Sequence, residues 1–162
     1  MNKRCASILA LLLVQAFPFA SDCLAADYKL SKGQTVYVSV HSTIFTAAKA
    51  VPFHLEATLI IRNTDPSSSF KVTGADFYDT KGKLLKHYFP EPIELKPLET
   101  RYIFIPQNDL NGGVGANFIV RWAASEEINV PIIECLMTGT KSGQGISFIS
   151  LGQVIKEKVP VP

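Results

Sequence analysis

Apolar and polar positions alternate with a period of two through much of this chain. In 36–40, 55–61 and 116–123, apolar residues occupy every second position. Because successive side chains of a β-strand point to opposite faces of the sheet, this period predicts half-buried strands. An amphipathic helix would repeat its apolar residues every three or four positions instead. The pattern therefore predicts an all-β protein.

Turn-forming residues separate the predicted strands. The segment 63–66, Asn-Thr-Asp-Pro, predicts a turn because Asx side chains bond the neighbouring backbone. The segment 79–82, Asp-Thr-Lys-Gly, predicts the tight turn of a hairpin between two short apolar runs. Gly74 lies where the apolar phase of the strand 70–78 shifts, which predicts a β-bulge or bend at that position.

The later strands are expected at 101–105, 132–138 and 146–155. The strand 132–138 is expected to pair with 116–123 across a turn at 125–131. That pairing would place Glu134 near Arg121, and we interpret the two as a cross-strand ion pair on the solvent face.

About eight short strands separated by turns predict one immunoglobulin-like β-sandwich with Greek-key connections, and a barrel is the alternative. The sandwich domain is expected to span 26–162 and to end in a short proline-rich tail, Val-Pro-Val-Pro. Its length suits a single core, because a chain of this size buries most of its apolar surface in one domain.

The first 25 residues differ from the rest. Lys3 and Arg4 precede an apolar run at 6–14, and the small residues of 23–26 are typical of a cleavage site. This order predicts a secretory signal peptide at 1–25 that is cleaved from an exported protein, either periplasmic or extracellular.

A membrane span and a lipid anchor are the two other interpretations of this segment. Gln15, Pro18 and Asp22 interrupt the apolar run, which falls short of the roughly 20 residues that a membrane span requires. We therefore expect no transmembrane segment in the mature chain. A lipid anchor on Cys23 is the alternative, and Asp22 directly before that cysteine argues against it.

Cleavage would also change the charge and the cysteine count. The whole chain has 16 Lys plus Arg and 14 Asp plus Glu, and Lys3, Arg4 and Asp22 would be removed. A nearly neutral mature chain has no basic surface for DNA or RNA, so no nucleic-acid partner is expected. Cys135 would be the only remaining cysteine, and its place in a period-two apolar run predicts a buried thiol.

No catalytic, cofactor or metal motif is found. His41, His54 and His87 lie in separate predicted segments without the spacing of a metal site. The Gly-rich segments lack the Gly-Lys-Ser/Thr ending of a phosphate loop, and no Gly-x-Ser-x-Gly occurs. We therefore expect no cofactor and no metal site, and this absence favours a binding module over an enzyme.

Strands that alternate in direction would bring the loops 42–53, 79–82, 106–115 and 140–145 to one end of the sandwich. The two Gly-rich segments 111–115 and 139–145 are expected to meet there, and loops on a rigid scaffold often carry binding sites. The polar residues expected to line that end, and hence the candidate ligand-binding residues, are Asp109, Asn111, Asn117, Lys141, Ser142 and Gln144. The alternative is that the glycines only permit tight turns.

Four blocks carry a resemblance to a known family: 33–38 (GQTVYV), 59–65 (LIIRNTD), 115–120 (GANFIV) and 142–148 (SGQGISF). The chain resembles the bacterial family called domain of unknown function 3124. The resemblance implies a small exported or lipid-anchored protein with no assigned activity, and it supplies no site residues. The segment 59–86 is similar, more loosely, to immunoglobulin-like envelope modules.

Two functions are consistent with these observations. The first is a non-catalytic binding or accessory module of the cell envelope, with an envelope protein or a small ligand as its partner. The second is an envelope hydrolase whose site lies at the Gly-rich loops and uses Asp109 or Ser142. The sequence favours the first because it contains no catalytic set.

Overall fold

The computed structural model describes residues 29–141 and 143–157, in which all regular structure is β. The predicted signal peptide, the tail 158–162 and Ser142 lie outside the described residues. The twelve strands of this part of the chain are β1 (Leu30–Val40), β2 (Thr43–Thr46), β3 (Val51–His54), β4 (Glu56–Arg62), β5 (Phe70–Tyr78), β6 (Leu84–Tyr88), β7 (Ile93–Leu95), β8 (Thr100–Ile105), β9 (Ala116–Asn129), β10 (Ile132–Lys141), β11 (Gln144–Leu151) and β12 (Gln153–Glu157).

Two sheets share one hydrophobic core. The six-stranded sheet has the order β12-β1-β9-β5-β6, with β7 paired to β5, and the four-stranded sheet has the order β11-β10-β4-β8. Every second side chain of β1, β9, β4 and β10 enters the same buried cluster. The all-β prediction is therefore confirmed, in a sandwich-like arrangement of two open sheets. The strands β2 and β3 form a separate hairpin in the segment 42–53, which was expected to be a loop.

The predicted local features of β5 and its flanking turns are confirmed. The register of β5 against β9 shifts between Val72 and Gly74, which is the expected bulge. The strands β5 and β6 pair as a hairpin, and the Asp79 carboxylate accepts hydrogen bonds from the backbone N–H groups of Lys81 and Lys83, each at 2.8 Å. These features depend on neighbouring residues, so the local sequence was sufficient to predict them.

The predicted pairing of 116–123 with 132–138 is wrong. β9 pairs with β1 and β5 in one sheet, whereas β10 pairs with β4 and β11 in the other. The polar segment after Ala124 is no turn; it continues β9 as far as Asn129, opposite Leu30, with Ile128 buried between the sheets. Only Val130 and Pro131 separate the end of β9 in one sheet from the start of β10 in the other.

The predicted last strand, 146–155, is divided between the two sheets at Gly152. β11 pairs with β10, whereas β12 pairs with β1. The N–H of Gly152 donates to the Ile133 carbonyl oxygen at 2.8 Å. A Cβ atom on residue 152 would lie 2.6 Å from that oxygen and 2.6 Å from Cγ1 of Val36. A glycine is therefore needed where the chain crosses from one sheet to the other.

Cys135 is fully buried in the shared core, as predicted. Burial raises the pKa of its thiol to about 12, although a backbone hydrogen bond involving Thr58 acts in the opposite direction. The thiolate is the reactive form of cysteine. Cys135 is therefore a structural residue of the core.

The predicted 63–66 turn is built around the Asp65 carboxylate. Its Oδ1 accepts hydrogen bonds from the backbone N–H groups of Ser67 and Ser68, both at 2.9 Å, and its Oδ2 accepts one from the N–H of Asn129 at 3.2 Å. These donors favour the charged carboxylate and lower the pKa of Asp65 to about 2.

The depressed pKa of Asp65 predicts a loss of stability in acid. An aspartate in an unfolded chain titrates near pH ~3.9. The folded protein therefore gains stability from ionised Asp65 above about pH 4, and loses it as the pH falls from about 4 to about 2. Urea unfolding over this range should show a smaller drop in unfolding free energy for Asp65→Asn than for the parent protein. Parallel pH profiles for the two proteins would contradict this.

Candidate functional site

The loops predicted to share one end do lie together. The N–H of Ser42, before β2, donates to the Gly113 carbonyl at 3.0 Å, and the N–H of Thr80 donates to the Gly112 carbonyl at 3.1 Å. The ammonium of Lys141 lies 3.4 Å from the Pro52 carbonyl oxygen, which connects the β10–β11 turn to β3. The two Gly-rich segments thus contact different parts of this end, and their expected meeting stays a prediction.

The predicted ligand-binding residues of the 106–115 loop serve its own structure. The Asp109 carboxylate accepts hydrogen bonds from the backbone N–H of Asn111 at 3.2 Å and from its side-chain amide at 2.8 Å. A Cβ atom on Gly112 would lie 2.8 Å from Ser42 Oγ and 2.9 Å from Phe77 Cζ, so this glycine permits close packing of the loop.

The remaining predicted residues lie in strands. Asn117 is half-buried in β9, opposite Ser39 of β1 and Tyr78 of β5. Lys141 and Gln144 are exposed register partners at the β10–β11 turn, and Ser142 lies outside the described residues. Binding of a ligand by these six residues stays a prediction.

The outer face of the four-stranded sheet carries apolar residues in two rows across all four strands. The first row runs Leu151, Glu134, Ile60 and Tyr102, and the second runs Ile149, Leu136, Thr58 and Phe104. Each row crosses β11, β10, β4 and β8 in that order. The inward neighbours of these residues, such as Ile103 and Ile105, are buried, so the rows form the solvent side of the sheet.

The apolar side chains on β8 and β11 are well exposed, and those on β10 and β4 are half-buried. Tyr102 is 69% exposed, Phe104 50%, Ile149 55% and Leu151 70%. We call the six apolar residues of the two rows the apolar outer surface. Side chains of this size expose a joint area on the order of 500 Å², near the upper end of what the surface of a monomeric protein usually contains.

Few free charges lie on the apolar outer surface. Glu134 is only 17% exposed, and its carboxylate lies 3.6 Å from the guanidinium of Arg62. The Glu56 carboxylate accepts a hydrogen bond from the Thr138 hydroxyl at 2.6 Å. The expected ion pair of Glu134 with Arg121 is therefore wrong, because the two residues belong to different sheets.

Arg121 instead belongs to a polar cluster on the outer face of the six-stranded sheet. Its Nη2 donates to Oδ2 of the buried Asp76 at 2.6 Å, and the other carboxylate oxygen contacts Nδ1 of His87. Burial raises the pKa of Asp76, but the hydrogen bonds from Arg121 and His87 outweigh it, so the pKa lies below its usual value. The cluster therefore holds Arg121 in a fixed position.

Neither the apolar outer surface nor the polar cluster around Asp76 was predicted from the sequence. Strand β8 reads Tyr-Ile-Phe-Ile over 102–105, with apolar residues on both faces, and this was the available signal for an apolar outer face. Such a run predicts a strand but does not show whether its second face is covered. Asp76 and His87 are eleven residues apart in a hairpin, and only their register brings them together.

The described residues contain no group of three or more His, Cys, Asp or Glu side chains that could hold a metal ion. No helix in the described ranges has the length and apolar character needed to cross a bilayer.

Fold and surface together define the class of protein, an all-β domain of two sheets with an exposed apolar face. The chain belongs to the family described as Protein of unknown function (DUF3124), which matches residues 33–155. The resemblance seen in the sequence blocks is therefore confirmed.

The other comparisons add little to this assignment. No curated protein matches the chain. A structure titled "Crystal Structure of Thermotoga maritima 1070" is similar over 77% of this chain and 97% of that chain, at 8% sequence identity and a TM-score of 0.48. A likeness this weak says nothing about activity.

Proposed function

We propose that this protein is a non-catalytic binding module of the bacterial cell envelope that docks a partner protein on its apolar outer surface. The observation that supports this proposal most directly is the pair of aromatic side chains Tyr102 and Phe104, which are exposed side by side on β8. Exposed apolar patches of this size mark interaction sites more often than bare surface.

The chemistry of the surface defines the kind of partner. Glu134 and Arg62 neutralise each other, so the partner needs no strong charge of its own. The surface also lacks the row of cations that would attract an anionic membrane. A four-stranded sheet face is broad, which suits a partner with a similarly broad apolar face. We therefore infer a protein partner whose surface is apolar and nearly uncharged.

The proposal also includes export of the protein and an immunoglobulin-like fold. The signal-peptide pattern of 1–25 supports a periplasmic or extracellular protein, with an anchor on Cys23 as the alternative. The two sheets and their shared core support an immunoglobulin-like sandwich, in which sheet faces and end loops are both available for binding. An envelope hydrolase has less support, because the Asp109 carboxylate already accepts two hydrogen bonds from Asn111.

Site-specific photo-cross-linking in intact cells tests the docking proposal. A photoreactive phenylalanine analogue replaces Phe104 in one form of the full chain and Phe45 in a second. Phe45 is the matched control, because it is 58% exposed on the β2–β3 hairpin and is not part of the apolar outer surface. We expect a discrete cross-linked protein with the analogue at 104 and none at 45.

Three results would contradict the proposal. Cross-linking to lipid would indicate a membrane surface, and cross-linking to a second copy of the chain would indicate self-association. The same cross-links at both positions would show that exposure alone captures neighbouring proteins.

A further inference from the structure

A cleft of about 250 Å³ lies on the six-stranded sheet, away from the apolar outer surface. Its lining includes Arg121 and Lys156, together with the hydroxyl-bearing Thr35 and Thr73. The volume is several times the ~30 Å³ that one water molecule occupies, so the cleft has room for a small organic ligand.

The sheet register places the cations of this cleft in one row. Lys156 of β12 is opposite Thr35 of β1, which is opposite Arg121 of β9. Neighbouring strands are ~4.8 Å apart, so the two cationic residues are about 10 Å apart at the backbone, with a hydroxyl between them. Long side chains converge readily over that distance.

Arg121 is positioned before any ligand arrives. One of its N–H groups donates to the buried Asp76, and an arginine has five such donors in a fixed fork. Gly74 lies opposite Arg121, where a Cβ atom would come within 2.9 Å of Nη2. The absence of a side chain at Gly74 thus leaves space for the guanidinium.

The carboxylates near the cleft are already compensated. Glu157 accepts hydrogen bonds from Ser31 and Gln34 and pairs with Lys29, and Asp76 is paired as described. Lys29, Arg121 and Lys156 outnumber the two carboxylates by one, so the cleft region has a net positive charge.

We propose that this cleft binds a small oxyanion, either a carboxylate or a phosphate group carried on a small molecule. Arg121 and Lys156 would hold the charge, and Thr35 and Thr73 would donate further hydrogen bonds. This site is independent of the protein-docking surface on the other sheet, and either proposal can fail without the other.

The single tryptophan of the chain provides the measurement. The purified protein is titrated with inorganic phosphate and, separately, with succinate, at constant ionic strength set by chloride. Fluorescence of Trp122 and calorimetric heat are followed together. We expect saturable binding with a Kd of the order of 1 mM or tighter for at least one of the two anions. A response to one anion alone identifies its chemical class.

Two variants and one control make the test specific. Lys156→Gln on the edge strand β12 and Arg121→Lys, which keeps the charge but loses the fork, should each weaken binding about tenfold. Lys83→Gln removes the same charge from the exposed β5–β6 turn and should leave Kd unchanged. No saturable signal by either method at tens of millimolar anion would overturn the proposal. An equal loss in Lys83→Gln would do the same.

Discussion

Replacing both Tyr102 and Phe104 by threonine should weaken binding of the cross-linked partner protein by about 100-fold. In the complex, each aromatic side chain would remove about 100 Å² of its surface from water. Burial of apolar surface contributes about 25 cal/mol per Å² to the binding free energy. With a discount for imperfect packing, the two substitutions together should cost about 3 kcal/mol of binding free energy. The measurement is the Kd of the purified partner for the parent protein and for the double variant.

The fold should survive this double substitution. Both side chains are on the solvent face of β8, and threonine is β-branched and favours strands. The unfolding free energy should therefore change by no more than about 1 kcal/mol. Phe45→Thr is the matched control and should leave the partner's Kd unchanged. A double variant that folds normally and binds as tightly as the parent would exclude the apolar outer surface as the binding surface.

Asn63→Ala should be among the most destabilising single substitutions in the chain. Asn63 is 1% exposed, and its amide donates to the carbonyl oxygens of Ser68 and Lys96, both at 2.9 Å, and of Leu95 at 3.3 Å. Its Oδ1 accepts a hydrogen bond from the Asp65 N–H at 2.9 Å. One side chain therefore connects the end of β4 to the start of β5 and to the segment between β7 and β8.

Alanine would leave these buried groups without partners, at about 1–3 kcal/mol for each group that water cannot reach. We expect a loss of about 4 kcal/mol in unfolding free energy, a large share of the ~5–15 kcal/mol that stabilises a domain. Urea denaturation at neutral pH measures the loss. Asn108→Ala, at an exposed position, is the control and should stay within about 0.5 kcal/mol of the parent. A loss below about 1 kcal/mol for Asn63→Ala would contradict the proposed role.

The features predicted correctly depend on neighbouring residues. Alternation over 36–40 and 55–61 reports which side chains face the core, and the 63–66 turn and the Gly74 bulge depend on side-chain and backbone geometry within a few residues. Buried Cys135 follows from the same alternation. Each of these could be predicted because the alternation of a strand and the geometry of a turn depend on residues that are close together in the sequence.

The features that could not be predicted depend on distant residues. Nothing near Trp122 indicates that β9 pairs with β1 and β5 instead of β10, because register partners are chosen by packing between remote segments. Arg121 was assigned the wrong partner for the same reason. The exposure of Phe104 depends on whether another layer covers the outer face of β8, which the sequence of β8 alone does not encode.

The candidate loop site contains features that the sequence predicts and features that it does not. Alternating strand directions were enough to bring the 79–82 and 106–115 segments to one end. The roles of Asp109 and Gly112 as structural residues of that end became visible only from their contacts with Asn111, Ser42 and Phe77. A polar residue in a loop is a weak indicator of a binding site until its partners are known.

Hydroxyl-radical footprinting in the intact cell envelope tests the docking surface most directly. It compares oxidation of Tyr102 and Phe104 in cells with oxidation of the purified protein. Phe45 serves as the internal reference because it is 58% exposed and lies on the β2–β3 hairpin, outside the apolar outer surface. We predict that Tyr102 and Phe104 are oxidised in the purified protein and protected in the envelope, while Phe45 is oxidised equally in both. Equal oxidation of all three residues in the two settings would contradict the docking of a partner on this face.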